Sequence, residues 1–180
     1  MMQQEEHQEV MPEKQEIEID EMKYQQFINE IEGNQNLHMG IIGGLMAAAI
    51  GAAIWAAVTV ITDFQIGWMA VGIGFLVGFA VRITGKGISK SFGYVGAILA
   101  LASCLAGNFF SICAVISKQE AIPFFYLLTR LNPEIITELM KSTFSPIDLL
   151  FYGIAVYEGY RFSFRQITED EMAGLKRAKA

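Results

Sequence analysis

Three long runs without a single Asp, Glu, Lys or Arg, residues 39–62, 66–81 and 92–117, restrict this chain more than anything else in it. The first has 24 residues, about 36 Å as a helix, which exceeds the ~30 Å hydrocarbon thickness of a bilayer. Water-soluble domains seldom need apolar segments of that length. Inside hydrocarbon only a helix or a closed barrel satisfies its own backbone. The expectation is therefore an all-α membrane protein: a four-transmembrane-helix bundle with a Gly-rich first hairpin, an interfacial helical segment between helices 3 and 4, and a short cytoplasmic amphipathic helix.

With 180 residues, 53% of them hydrophobic, the chain has room for one small membrane domain and short appendages but not for a separate catalytic domain. The formal net charge of −6 hides an asymmetry: ten acids face Lys14 and Lys23 in the first 38 positions, and the rest carries eleven Lys/Arg against nine Asp/Glu. An acidic N-terminal segment is repelled by nucleic acid and by anionic lipid surfaces, so neither is expected as a partner for it. Its Gln/Glu-rich first 19 residues bury little and read as a disordered tail. Cys104 and Cys113 sit nine residues apart in the third run, on nearly opposite faces of a helix, and read as small apolar fillers. Only His7 and His38 exist, so no His-based metal cluster is expected.

Residues 20–38 read as an amphipathic helix and linker: Tyr24, Phe27, Ile28 and Ile31 fall at i, i+3, i+4 and i+7, with Asp20 as N-cap and Gly33 as stop. The polar face is acidic rather than basic, which favours docking on protein over lipid. The segment before the first run is polar and lacks a cleavage signature, so that run is expected to act as an uncleaved anchor. The bundle covers 39–164, with spans at about 39–62, 66–82, 92–117 and 146–164 and an interfacial stretch at 118–145. Thr62-Asp63-Phe64-Gln65 is a tight connection that turns the first two spans into a hairpin. Asn132-Pro133 opens a helix with Ile135, Ile136, Leu139 and Met140 on one face. Ser145-Pro146-Ile147-Asp148 is a capping-box pattern opening the fourth span. A basic tail at 165–180 closes the chain.

Short-loop cations set orientation. The first connection has none, the second has Arg82, Lys86 and Lys90, and the C-terminal segment has Arg161, Arg165, Lys176, Arg177 and Lys179. Four spans then put both termini in the cytoplasm.

Candidate helix-packing residues are Gly40, Gly44 and Gly51 in the first span and Gly74 and Gly78 in the second, at small-xxx-small spacings that let backbones approach. Packing within the hairpin is the leading expectation for them, ahead of homo-oligomerisation. Gly72-Ile73-Gly74 with Gly78 is no nucleotide fingerprint, because it lies mid-run rather than at a strand-to-helix turn. Candidate intramembrane polar residues are Asn108, Glu158, Arg82 and Arg161. Asn108 must find a partner within the bundle, and Glu158 is expected to pair with Arg82 or Arg161 rather than to carry protons. No Ser/His/Asp set, HExxH, P-loop or paired carboxylates point to catalysis or to a cofactor.

The run from Gly67 to Arg82 resembles a hairpin segment of small bacterial membrane proteins, a likeness carried by generic membrane residues that implies no activity and suits a bacterial inner membrane. The expected function is that of a non-enzymatic scaffold or accessory protein, with the lipid bilayer and a protein partner or a second copy as its partners. An oligomeric transporter or channel for ions or small solutes is the alternative, and a membrane-embedded enzyme stands third.

Overall fold

The computed structural model describes residues 17–64 and 66–178. The first sixteen residues, read from composition as part of a disordered tail, lie outside the described residues, as do Gln65 and the last two. Among the described residues the regular structure is helical apart from one short strand pairing. By contacts it divides into two compact units, one of residues 1–29 with 167–180 and one of residues 30–166.

In the first unit, strand β1 (Ile17–Ile19) pairs antiparallel with β2 (Lys176–Ala178), Glu18 lying opposite Arg177. Asp20 N–H donates to Leu175 O at 3.1 Å and continues that register. Asp20 then caps helix α1 (Glu21–Asn34), its Oδ1 accepting from Met22 N–H at 3.1 Å and from Lys23 N–H at 3.3 Å. Helix α8 (Glu169–Leu175) starts on a reciprocal cap: Thr168 N–H donates to Glu171 Oε2 at 2.8 Å, and Glu171 N–H to Thr168 Oγ1 at 3.4 Å.

The second unit is built on four helices, α2 (Leu37–Thr62), α3 (Met69–Gly85), α4 (Lys90–Gln119) and α7 (Pro146–Phe162). Their positions follow the apolar runs, with ends set by local chemistry. Asn36 caps α2 by accepting from Met39 N–H at 3.0 Å, and Asp63 ends it in the left-handed conformation at φ 54°. α3 stops the same way at Lys86, φ 51°. Ser145 N–H donates to Asp148 Oδ2 at 2.8 Å, half of the box that opens α7. α3 begins three residues later than its apolar run, because Ile66, Gly67 and Trp68 form a turn whose carbonyls accept from Met69, Ala70 and Val71.

α3 and α4 touch each other, and each packs against both α2 and α7, which flank them on opposite sides. The core lies along these contacts, with Trp55, Ile73, Val77, Val81, Phe92 and Tyr152 among its larger members. Between α4 and α7, helices α5 (Phe124–Arg130) and α6 (Pro133–Thr143) rest on α4. Asn132 Oδ1 caps α6 at 2.8 Å from Ile135 N–H, and Phe124 meets Phe110 edge-on at 6.3 Å.

Candidate functional site

Glycines decide how closely the four helices approach. A Cβ on Gly74 would sit 2.5 Å from Ala155 O and 2.8 Å from Ala155 Cα, and one on Gly78 would sit 3.0 Å from Gly159 O. Backbone cannot move aside as a side chain can, so α3 and α7 meet only because these positions lack Cβ. Gly96 and Gly159 play the same part between α4 and α7, a Cβ on Gly159 meeting Gly96 O at 2.7 Å. Gly40, Gly44 and Gly51 line the other flank, where α2 lies against Gly85 and Phe92, against Val81 and Leu99, and against Ile73 and Ser103 respectively. Thus Gly74 and Gly78 turn towards α7, while the α2 glycines turn towards α3 and α4.

The interior is polar as well as small. Ser103 Oγ donates to Ala48 O at 2.7 Å, and Ser111 Oγ lies 2.7 Å from Gly107 O and 3.3 Å from Thr59 Oγ1, all between α2 and α4 or within α4. Asn108 is fully buried, and its Nδ2 donates to the Tyr152 hydroxyl at 3.1 Å, joining α4 to α7. Ser163 Oγ donates to Gly159 O at 2.6 Å. Trp55 Nε1 is buried without a hydrogen-bond partner; its ring lies against the space left by Gly107. Cys104 and Cys113 are both buried and unbridged despite facing apart, because α4 is covered on several sides.

One end of this unit gathers the α2 N-terminus, the α3–α4 loop and the α7 C-terminus. Asn36 N–H donates to Gly85 O and Arg165 N–H to Gly87 O, both at 2.9 Å. Arg82, Lys86, Lys90, Arg161 and Arg165 all belong to this end, with Glu158 the acid of α7 nearest to them. The other end holds Asp63, Glu120, Glu134, Glu138 and Asp148 against Lys118, Arg130 and Lys141. There Lys118 Nζ donates to Asp63 Oδ1 at 3.1 Å and to Val60 O at 3.3 Å.

Glu158 departs from expectation. Among the described residues the Lys118–Asp63 pair is the one salt bridge, and Glu158 joins neither Arg82 nor Arg161. Both arginines lie over aromatic rings instead: Arg82 is 5.9 Å from the centroid of Phe79, and Arg161 is 6.0 Å from Tyr157 and 5.9 Å from Phe162. A guanidinium at the edge of an apolar surface keeps its stem and plane on the rings, and Arg161 also donates from Nη1 to the Tyr157 hydroxyl at 3.5 Å; that arrangement competes with a carboxylate. The signal was in the sequence, as Phe79/Arg82 and Tyr157/Arg161 stand three and four residues apart on their helices.

The outward faces are apolar. Ile42, Met46, Ile50 and Ile54 on α2, Phe75 and Phe79 on α3, Ile98 and Leu105 on α4, and Leu149 and Leu150 on α7 are all exposed. Within their most apolar stretches only 33% of α2 and 39% of α4 is buried. Both helices are long and apolar enough to cross a membrane, and α3 is a shorter apolar helix. Two apolar grooves indent this surface. One, of about 650 Å³, lies between α2, α4 and α5 and is lined by Ala53, Ala57, Phe110, Ala114, Phe124 and Leu128. The other, of about 430 Å³, lies between α2 and α3 beside Trp68 and Gly72.

No family model matches this chain, and no curated protein or solved structure does either. The site therefore has to be read from its own chemistry. Buried hydrogen bonds and close backbones make a rigid interior, and the features open to a ligand or partner are the outer grooves and the cationic end. Among the described residues no cluster of three or more His, Cys, Asp or Glu could hold a metal ion.

Proposed function

We propose that this chain is a small multi-pass integral membrane protein, with α2, α3, α4 and α7 crossing the bilayer and both termini in the cytoplasm, and that it works as a non-enzymatic scaffold or accessory subunit. One observation carries the membrane reading: hydroxyls, an amide and glycines sit among the apolar side chains at the contacts between helices, whereas large Ile, Leu, Met and Phe side chains cover the outside. Soluble monomers rarely expose contiguous apolar patches beyond a few hundred Å². In lipid the same distribution is the expected one, because hydrocarbon solvates the outside and small residues give close packing inside.

At about 25 Å each, α3 and α7 fall short of the ~30 Å core, so spanning requires local thinning or use of their flanking turns. Trp68 and Ile66 before α3, and Phe164 after α7, extend the apolar length. The cationic end supports a cytoplasmic N- and C-terminus by the charge bias of short loops.

Scaffolding is favoured over transport because the interior hydroxyls of Ser103, Ser111 and Ser163 and the Asn108 amide are hydrogen-bonded within the bundle, while the grooves open outward, where an apolar partner segment would seat. Alkaline carbonate extraction tests membrane integration, and release of the full-length chain would refute it. Flux of ions and small solutes in proteoliposomes tests the scaffold reading. Background flux is expected; a solute moved well above that background would put the transporter alternative first.

A further inference from the structure

The outer face shared by α3 and α7 carries a built feature that the scaffold reading leaves unused. Phe75 stacks on Phe79 with centroids 5.8 Å apart, and meets Phe162 of α7 edge-on at 4.8 Å. Arg82 lies over Phe79 at one end of this connected set and Arg161 over Phe162 at the other. The three rings thus form one aromatic strip bridging two helices, with Arg82 against Phe79 and Arg161 against Phe162. Phe75 is 48% exposed and Phe79 41%, so the strip faces outward. Neither arginine is in a salt bridge among the described residues.

We propose that this face binds an anionic phospholipid, the phosphate held by Arg82 and Arg161 and one acyl chain lying along Phe75, Phe79 and Phe162. The proposal rests on the membrane reading above. Guanidinium presents a planar fork that matches phosphate oxygens with two parallel charge-assisted hydrogen bonds; Arg161 spends one long contact, Nη1 to the Tyr157 hydroxyl at 3.5 Å, and keeps its other N–H groups for phosphate. The apolar strip runs from the helix ends towards mid-helix, from Arg82 to Phe75 on α3, which is the direction an acyl chain takes from its headgroup. Glu158 is the acid of α7 beside this strip, one turn before Phe162 and with its backbone oxygen 3.2 Å from where a Gly78 Cβ would be. Its charge opposes phosphate, so Glu158→Gln is expected to strengthen binding. Lys86 and Lys90 lie at the same end of the bundle but off the strip, and they provide the control for unspecific attraction.

The test uses the full chain in nanodiscs of phosphatidylcholine or of phosphatidylcholine with phosphatidylglycerol, with retained lipid read by native mass spectrometry after release into mild detergent. The wild type is expected to retain phosphatidylglycerol over phosphatidylcholine, and Arg82→Gln with Arg161→Gln to lower that preference about tenfold. Lys86→Gln with Lys90→Gln, the same change in net charge, is expected to keep it. An equal loss in both double variants would mean smeared surface charge and would overturn the site. Inorganic phosphate at millimolar concentration displacing the lipid entirely would make this a free-anion site and likewise overturn it. A second readout needs no variant: phosphatidylglycerol should protect Arg82 and Arg161 of the wild type from phenylglyoxal relative to phosphatidylcholine alone, and equal modification in both discs refutes the proposal. Release of the chain by carbonate is a separate result that removes the membrane reading itself.

Discussion

A single missing methyl group has opposite consequences at two glycines only two residues apart. At Gly74 a Cβ would meet Ala155 backbone at 2.5 Å, whereas at Gly72 nothing lies within 4 Å. Gly74→Ala is expected to cost about 1–3 kcal/mol by forcing α3 from α7, and Gly72→Ala to be neutral or to stabilise by up to about 1 kcal/mol through helix propensity. Melting in detergent checks both, and equal shifts would place Gly74 away from a helix contact. The same scale revises the chemistry of Glu158. Since neither Arg82 nor Arg161 is salt-bridged to it, a double-mutant cycle of Glu158→Gln with Arg82→Gln should be additive within about 0.5 kcal/mol. A coupling well above that would restore the ion pair that the charges alone suggest. Sequence spacing offered Arg161 both the carboxylate of Glu158 and the ring of Tyr157, and offered Arg82 the ring of Phe79. Choosing between them needed the ring positions.

Helix positions were legible because apolar run length and caps are local properties: the run at 39–62 became α2 with two residues added at its start, that at 92–117 became α4 with two added at each end, and Ser145-Pro146 and Asn132-Pro133 opened helices where their chemistry demands. Partner choice was not legible. The Gly74/Gly78 spacing marks a close-packing face but not what it meets, and it meets α7, a helix separated from α3 by α4, α5 and α6. The α2 glycines, by contrast, lie against their sequence neighbour α3 and against α4. Strand pairing of Ile17–Ile19 with Lys176–Ala178 also left no local mark, since three residues carry no readable period. Asn108 announced that it needed a partner but not that Tyr152 would supply it. Tyr152→Phe removes that hydroxyl while keeping the ring, and is expected to lower stability in detergent by about 0.6–1.7 kcal/mol. No change in melting would mean that the α4–α7 hydrogen bond contributes nothing net.

For the whole molecule, on the proposed membrane reading, the decisive question is which end of the bundle faces the cytoplasm, because a charge difference between the ends is what biases orientation. Arg82, Lys86, Lys90, Arg161 and Arg165 gather at one end through ties that also bring Asn36 to Gly85 and Arg165 to Gly87. At the other end, acids outnumber Lys118, Arg130 and Lys141, and Lys118 is partly neutralised by Asp63. Cations in a longer connection influence orientation less than those in a short loop, and the α3–α4 loop is the shorter of the two. Introduced cysteines can read the outcome directly, since Cys104 and Cys113 are buried and give little background to a bulky maleimide. Lys86→Cys should be labelled by a membrane-impermeant maleimide only after cells are permeabilised, and Thr137→Cys on α6 should be labelled in intact cells. If α7 does not span, a cysteine beyond it, such as Thr168→Cys, should be labelled from outside along with Thr137→Cys, while Lys86→Cys stays protected. Labelling of Lys86→Cys in intact cells with Thr137→Cys protected would invert the orientation and show that the charge bias does not govern this chain.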